Sequence, residues 1–342
     1  MTGPIAPALA MLCGKLAELT TRFGRRVDAE ALGILDRAGQ LPLDPPGLAS
    51  PNRACRLFQA GDGWMALNLA RPEDGELIGA WLEREIVGDP WDAVAAAARG
   101  HSRAELIARA SLIGLPAAAV GEVVRDSLDA PRIAMGRGMA RRSGGQLKVV
   151  DLSALWAGPL CGAILAAMGA RVVKIESRRR PDPTRGSTPA FFQRLNGGKA
   201  ELALDLTTAQ GQARLCEAID DADVLVTSAR PRAFSGLGLD PQAVFARNPG
   251  LVWTAITGYG WTGAVGERVA FGDDAAAAGG LVSWTSAGEP RFLGDALADP
   301  VTGLAAAIGA LQALEAGGGL VDVSLAGSAA GAAAACEIAR AA

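Results

Sequence analysis

Histidine is almost missing from this chain: His101 is the single one among 342 residues. A Ser-His-Asp triad, a Cys-His pair or a histidine-rich metal centre would have to be built on it, and no nucleophile motif accompanies it. Its setting, GHSRAEL, reads as a polar helix start, so a surface or cap role is the expectation. The five cysteines are odd in number, far apart and never in a C-x-x-C pair. That argues against a disulfide framework and a zinc site, leads to no expected metal, and fits a reducing cytoplasm. An excess of one charge is also missing. The 33 basic and 36 acidic side chains are scattered and sum to −3, which leaves no electrostatic footprint for nucleic acid or anionic lipid. MTGPIAPALAMLCGKLAEL lacks the basic start and long apolar centre of a signal peptide, and the Ala-rich C-terminal tract is interrupted by Asp322 and Glu337, so no membrane anchor is expected. Neither G-x-G-x-x-G nor G-x-x-x-x-G-K-[ST] follows the first apolar strand of the second half. The dinucleotide and ATP readings therefore lose their main support.

What is present is apolar residue in quantity, half of the chain, enough for a sizeable core and, at this length, two domains. Residues 6–24 and 27–37 have helical periodicity, and 41–52 is a Pro- and Gly-rich connection. CRLFQAGDGWMALNLA (55–70) reads as two short strands around an Ala-Gly-Asp-Gly turn. Helices are expected at about 73–86, 91–99 and 102–113, the last with Ser102 and Glu105 spaced as a capping box. LPAAAVG (115–121) reads as extended and is followed by a short helix. MGRGMARRSGGQ (135–146) is basic, Gly-rich and aperiodic, a linker between a small α+β domain over 1–134 and a larger domain over 147–342. In that larger part the pattern alternates. Strands at 147–153, 171–177, 201–206, 222–228, 251–258 and 320–325 are separated by helices at 159–170, 207–220, 241–247 and 300–316. Apolar strands alternating with amphipathic helices predict an α/β fold with a doubly wound parallel sheet, which binds ligands beyond the carboxyl ends of its strands.

Three stretches carry chemistry. The turn DLSALWAGPLCG should offer backbone N–H groups to an anion, although every doubly wound fold has such turns as plain scaffold. SRRRPDPTRG (177–186) places Arg178, Arg179, Arg180 and Arg185 in one loop, either a phosphate site or a solvated charge run. In GDALADPVTGLAAAIGALQAL (294–314), Asp299 stands before Pro300 and a long apolar helix. Its carboxylate would cap that helix or attack an acyl thioester, splitting transfer into two easier steps. ITGYGWTG (256–263) is the expected source of backbone donors for the oxyanion.

The blocks VVDLSALWAGP, GARVVKIES, DPTRG, FFQRLNGGKAELALDL, DADVLVTSARP, GLGLD, NPGLVWTAITGYGWTG, ADPVTGLAAAIGALQAL and GGGLVDVSL, in this order over about 147–325, resemble the family III CoA-transferases. The resemblance implies a Rossmann-like domain that binds coenzyme A as its acyl-CoA substrate, with Asp299 as catalytic aspartate passing through a mixed anhydride and an aspartyl thioester. It implies coenzyme A contacts at Trp156 and Ala157, at Ser177 and Arg178, from Leu204 and Asp205 to Thr207, at Ser228, Ala229 and Arg230, and near Phe271. Ser228 and Ala229 stand where the family commonly has Asn-Phe, and Gly236 where it often has an arginine. The racemase branch has a histidine near Phe271, and this sequence has none there. GDGWMALNLARPEDGELIGAWL and HSRAELIARASLIGLPAAAVGEVVRD resemble the family's small domain, which normally follows the VDVSL strand, so the chain reads as circularly permuted. The partners implied are an acyl-CoA, a carboxylic acid, and a second subunit, either in an interlocked homodimer or from a conventional family member. CoA transfer is the leading expectation. Acyl-CoA isomerisation or racemisation, and a degenerate acyl-CoA-binding subunit, are the alternatives.

Overall fold

The computed structural model describes residues 3–129, 132–133 and 145–338. The expected linker therefore lies almost wholly outside the described residues. In chain order the strands are β1 (Cys55–Ala60), β2 (Gly63–Asn68), β3 (Ala117–Ala119), β4 (Arg132–Ile133), β5 (Lys148–Leu152), β6 (Arg171–Ser177), β7 (Ala200–Leu204), β8 (Val224–Thr227), β9 (Val252–Thr257), β10 (Val282–Trp284), β11 (Pro290–Phe292) and β12 (Gly319–Ser324). The main sheet runs β4-β12-β9-β8-β5-β6-β7. Six of its strands are parallel and the two-residue β4 is antiparallel at one edge.

The strands alternate as a sheet covered on both faces must. Val149, Val224, Val226, Val252, Ile256 and Val321 enter one core, with the helices Ala157–Ala167 and Ala298–Glu315. Val150, Leu225, Trp253, Ala255 and Leu320 enter the other, beneath the helices Ala209–Asp220 and Pro241–Arg247. The chain winds outward through β5, β6 and β7, then returns to the other side of β5 with β8, β9 and β12. Its topological switch point lies between β5 and β8.

Glycine sets how closely the first core packs. A methyl group at Gly303 would lie 2.7 Å from Leu160 Cδ2 and 2.8 Å from the Ala157 carbonyl oxygen, so two helices cross here at a separation that only glycine allows. The N-terminal helix Ala6–Arg22 joins the same core through Ala8, Leu9, Leu12, Leu16 and Leu19. A separate smaller core, including Phe58, Met65, Ile78, Trp81, Val94 and Leu106, lies under the antiparallel sheet β1-β2-β3. Ser102 caps the helix Arg103–Ile113 by accepting from Glu105 N, and His101 sits beside it, its Nδ1 3.1 Å from Glu105 Oε2.

Two expected helices are not formed. Residues 27–37 are turns, because Asp28 accepts from the N–H groups of Glu30 and Ala31, Asp36 from that of Ala38, and Gly33 takes φ 63°. Such local side-chain bonds compete with the helical ladder. Residues 122–128 are likewise irregular, and the expected helix at 73–86 is split into Pro72–Glu76 and Ile78–Leu82.

Candidate active site

The turn after β5 is fastened at nearly every polar group. Ser153 N donates to Asp151 Oδ1 at 3.0 Å, Ala154 N to Ser228 Oγ at 2.9 Å and Leu155 N to Asp182 Oδ2 at 3.2 Å. The Trp156 indole N–H donates to Ile34 O at 2.9 Å. Two buried lysines hold the carbonyls at either end: Lys174 Nζ lies 2.8 Å from Ser153 O and Lys199 Nζ 2.8 Å from Pro159 O. Their charges are met by Asp182 at 3.2 Å and Asp151 at 2.7 Å. Burial alone would raise the Asp151 carboxyl, yet Lys199 and Lys174 bring it below the ordinary carboxylate range. The grip lets Leu155 keep φ 70°, a strained value for a branched side chain. It also places the Ala157 N–H where it favours the ionised Asp299 carboxylate.

Asp299 lies in the first turn of the helix Ala298–Glu315, which begins one residue before it; no side chain caps this helix. The residue keeps some exposure, while its carboxyl is densely surrounded. Burial pushes its pKa up to about 7. The charge of Arg37 and the Ala157 N–H oppose that rise, whereas the charges of Asp273 and Asp295 add to it. Gly272 makes the room: a methyl group there would stand 2.1 Å from Asp299 Oδ2 and 2.8 Å from Ala296 O.

Around this carboxyl stands a network that local sequence signals do not reveal. Arg37 donates to Asp295 through Nε at 2.8 Å and Nη2 at 2.7 Å, and its guanidinium lies 4.9 Å above the Trp156 ring. Asn52 Nδ2 bridges Asp273 and Asp295, each at 2.7 Å. Asp273 Oδ1 in turn accepts from Ala296 N at 2.7 Å. Burial, reinforced by Asp295, pushes Asp273 up to about 6. Arg37 ends a stretch whose helical period misleads and Asn52 lies in an irregular connection, so only tertiary packing brings them near Asp299. Asp295 and Asp273 stand in plain view in GDALADP and FGDD, but their side-chain partners Arg37 and Asn52 are more than two hundred residues away in the chain.

The ten expected coenzyme A contacts fall along the carboxyl edge of the sheet and its flanking turns, in three groups. Trp156, Ala157 and Phe271 adjoin the Asp299 cluster. The Trp156 ring is buried edge-on to Phe191 at 5.2 Å, and Phe271 lies under Arg71 at 5.7 Å. Ser228, Ala229 and Arg230 follow β8 at the switch point, where the Ser228 hydroxyl already serves the 153–157 turn. Arg230 makes a long contact, 3.5 Å, to Glu267 O. Ser177, Arg178, Leu204 and Asp205 end β6 and β7, with Arg178 N on Leu204 O at 2.8 Å and Asp205 accepting from Thr207. Of the loop arginines, Arg185 is engaged by Glu176 and Glu201 and Arg179 by Asp205; Arg178 and Arg180 are exposed. ITGYGWTG does not present all its donors: Gly260 N is bound by Thr257 Oγ1 and Trp261 N by Asp322 Oδ1, each at 2.9 Å.

A doubly wound sheet with a carboxyl beside its switch point puts a titratable group where such folds bind ligands, and sequence comparison gives the family. Residues 145–338 match CoA-transferase family III, and the chain belongs to that family. It is 33% identical over 178 residues to the succinyl-CoA–D-citramalate CoA-transferase of Chloroflexus aurantiacus, covering 49% of this chain and 44% of that protein. It is likewise 33% identical over 177 residues to a formyl-CoA:oxalate CoA-transferase of Escherichia coli, covering 49% and 42%. Among solved structures, a CaiB/BaiF family protein from Brucella suis superposes with a TM-score of 0.51 at 32% identity, over 55% of this chain and 54% of that one. The chain thus spans about half the length of the relatives it matches.

Proposed function

We propose that this protein moves CoA between an acyl-CoA and a carboxylic acid, with Asp299 as the acyl acceptor. The observation that carries the reading is Asp299 itself, a partly exposed residue whose carboxyl is poorly hydrated, rests against Gly272 and is raised to about 7. Its ionised form adds to the thioester carbonyl, a C–O bond forms, the C–S bond breaks, and CoA leaves as thiolate. The thiolate then attacks the Asp299 carbonyl of the mixed anhydride, releasing the first acid and leaving an aspartyl thioester. An incoming carboxylate reverses both steps and departs as the new acyl-CoA, returning Asp299 unchanged. A carboxyl at about 7 supplies the nucleophilic anion in roughly half of the molecules at neutral pH. The carboxyl edge from Ser177 to Arg230 is the proposed bed for the nucleotide and pantetheine.

Incubation with succinyl-, formyl- or longer acyl-CoA donors and hydroxylamine should leave a hydroxamate on Asp299, located by mass spectrometry. No modification with any donor would refute the reading. The same near-neutral acidity also suits proton transfer, so isomerisation with Asp299 as base is the second reading. Solvent deuterium at the acyl α-carbon without CoA exchange would select it. The carboxylic acid partner, the soluble cytoplasmic setting and assembly with a second subunit belong to this proposal. Native mass measurement with and without CoA tests the assembly.

A further inference from the structure

An oxyanion must form when Asp299 adds to a thioester, and it needs a donor. The glycine-rich segment after β9 is the expected source, yet Gly260 N and Trp261 N are bound to Thr257 and Asp322. The cation acting most strongly on Asp299 is Arg37. Its guanidinium is immobilised on three sides: Nε and Nη2 by the Asp295 carboxylate, at 2.8 and 2.7 Å, and one face by the Trp156 ring. Asn52 braces the grip by bonding Asp295 and Asp273 together. The remaining corner, Nη1, has no acceptor among the described residues and is not sealed from solvent. Arg37 as a whole is mostly covered, with 18% of its side chain exposed. The guanidinium is thus fixed between the Trp156 ring, which precedes Ala157, and Asp295, which opens the turn that carries Asp299.

The charge balance fits. When the Asp299 carboxylate attacks, its negative charge leaves the carboxylate and appears on the former carbonyl oxygen, so the net charge of the pocket is unchanged. A cation held beside the starting anion therefore meets the developing one without rearrangement. We propose that Arg37 is a catalytic residue that donates through Nη1 to the oxyanion formed as Asp299 adds to the acyl carbonyl. The C–O bond forms, the C–S electron pair departs with the CoA sulfur as the oxyanion collapses, and Arg37 keeps all its protons. The assignment rests on acyl transfer to Asp299 as proposed above.

The test is single-turnover acylation of Asp299 in the whole protein, followed by mass spectrometry, for the unaltered chain, Arg37→Gln and Arg37→Lys. Arg37→Gln should acylate about 10²- to 10³-fold more slowly. Arg37→Lys, which keeps a cation but loses the two-point grip, should be slowed about tenfold. In parallel, the pH midpoint for carbodiimide labelling of Asp299 should rise in Arg37→Gln, because the cation that favours the ionised carboxylate is gone. Should Arg37→Gln fail to fold, Arg37→Lys decides. Acylation of either folded variant at the unaltered rate overturns the role of Arg37 alone. An unaltered protein that no donor acylates overturns the acyl-transfer reading along with it.

Discussion

Gly272→Ala adds one methyl group at the point where the structure has least room. It would stand 2.1 Å from Asp299 Oδ2, 2.7 Å from Ala296 Cβ and 2.8 Å from Ala296 O. The carboxylate can rotate away, but Ala296 is backbone and Cβ, already at φ 45°, and yields only if the 271–274 turn parts from the 295–299 turn. That separation strains the Ala296 N to Asp273 bond of 2.7 Å. Overpacking of this kind costs about 1–3 kcal/mol and a weakened buried hydrogen bond about 1 more, so we expect a loss of about 2–4 kcal/mol. Displacement of Asp299 by the same contact should slow its acylation about a hundredfold, as misplacement near 1 Å does. Urea unfolding at constant m-value reads the first number, and single-turnover acylation of Asp299 reads the second. Unchanged stability and an unchanged acylation rate would refute the claim that Gly272 makes the space for this carboxyl.

Stability should fall as pH rises. Asp299 at about 7, Asp273 at about 6 and Asp274, which burial pushes to about 7 although it accepts from Asn68 Nδ2 at 2.9 Å, are raised above their unfolded values near 4, so the native state holds more protons across roughly pH 4 to 7 and loses stability through that window. Asp299→Asn should accordingly be more stable than the unaltered protein by about 2–4 kcal/mol at pH 8, with no gain near pH 4; chemical unfolding at the two values decides. Lys199→Met leaves Asp151 buried without its ion-pair partner, so a loss of about 3–5 kcal/mol is expected, and adding Asp151→Asn should restore part of it. A double-mutant cycle by thermal unfolding reads the coupling. Ser228→Ala removes the acceptor of the Ala154 N–H at 2.9 Å and should cost about 1–2 kcal/mol. A change confined to CoA affinity would instead make Ser228 a ligand contact.

Much of the large sheet was legible. Runs such as LKVVDLS and LVWTAITG are apolar on both faces because the parallel strands they form are covered on both faces, and alternation with helices left little choice of fold class. The hairpin at 55–68 was legible for a different reason, its Gly-Asp turn between two short apolar runs. Residues 27–37 misled, since their helical period competes with three side-chain bonds from Asp28 and Asp36 that periodicity ignores.

The chemistry divides along the same line. Asp299 stands out as a carboxylate beside a proline at the head of a long apolar helix, a pattern that by itself suits a cap, and the family resemblance is what marks it as a candidate nucleophile. Its state could not be read in this way, because an acidity near neutrality depends on Gly272, Arg37, Asp273, Asp295 and the Ala157 N–H, which converge from four separate stretches. Local order is a matter of neighbours in the chain, which the amino-acid sequence states directly. Electrostatic environment is a matter of neighbours in space, and only the packed tertiary structure assigns those.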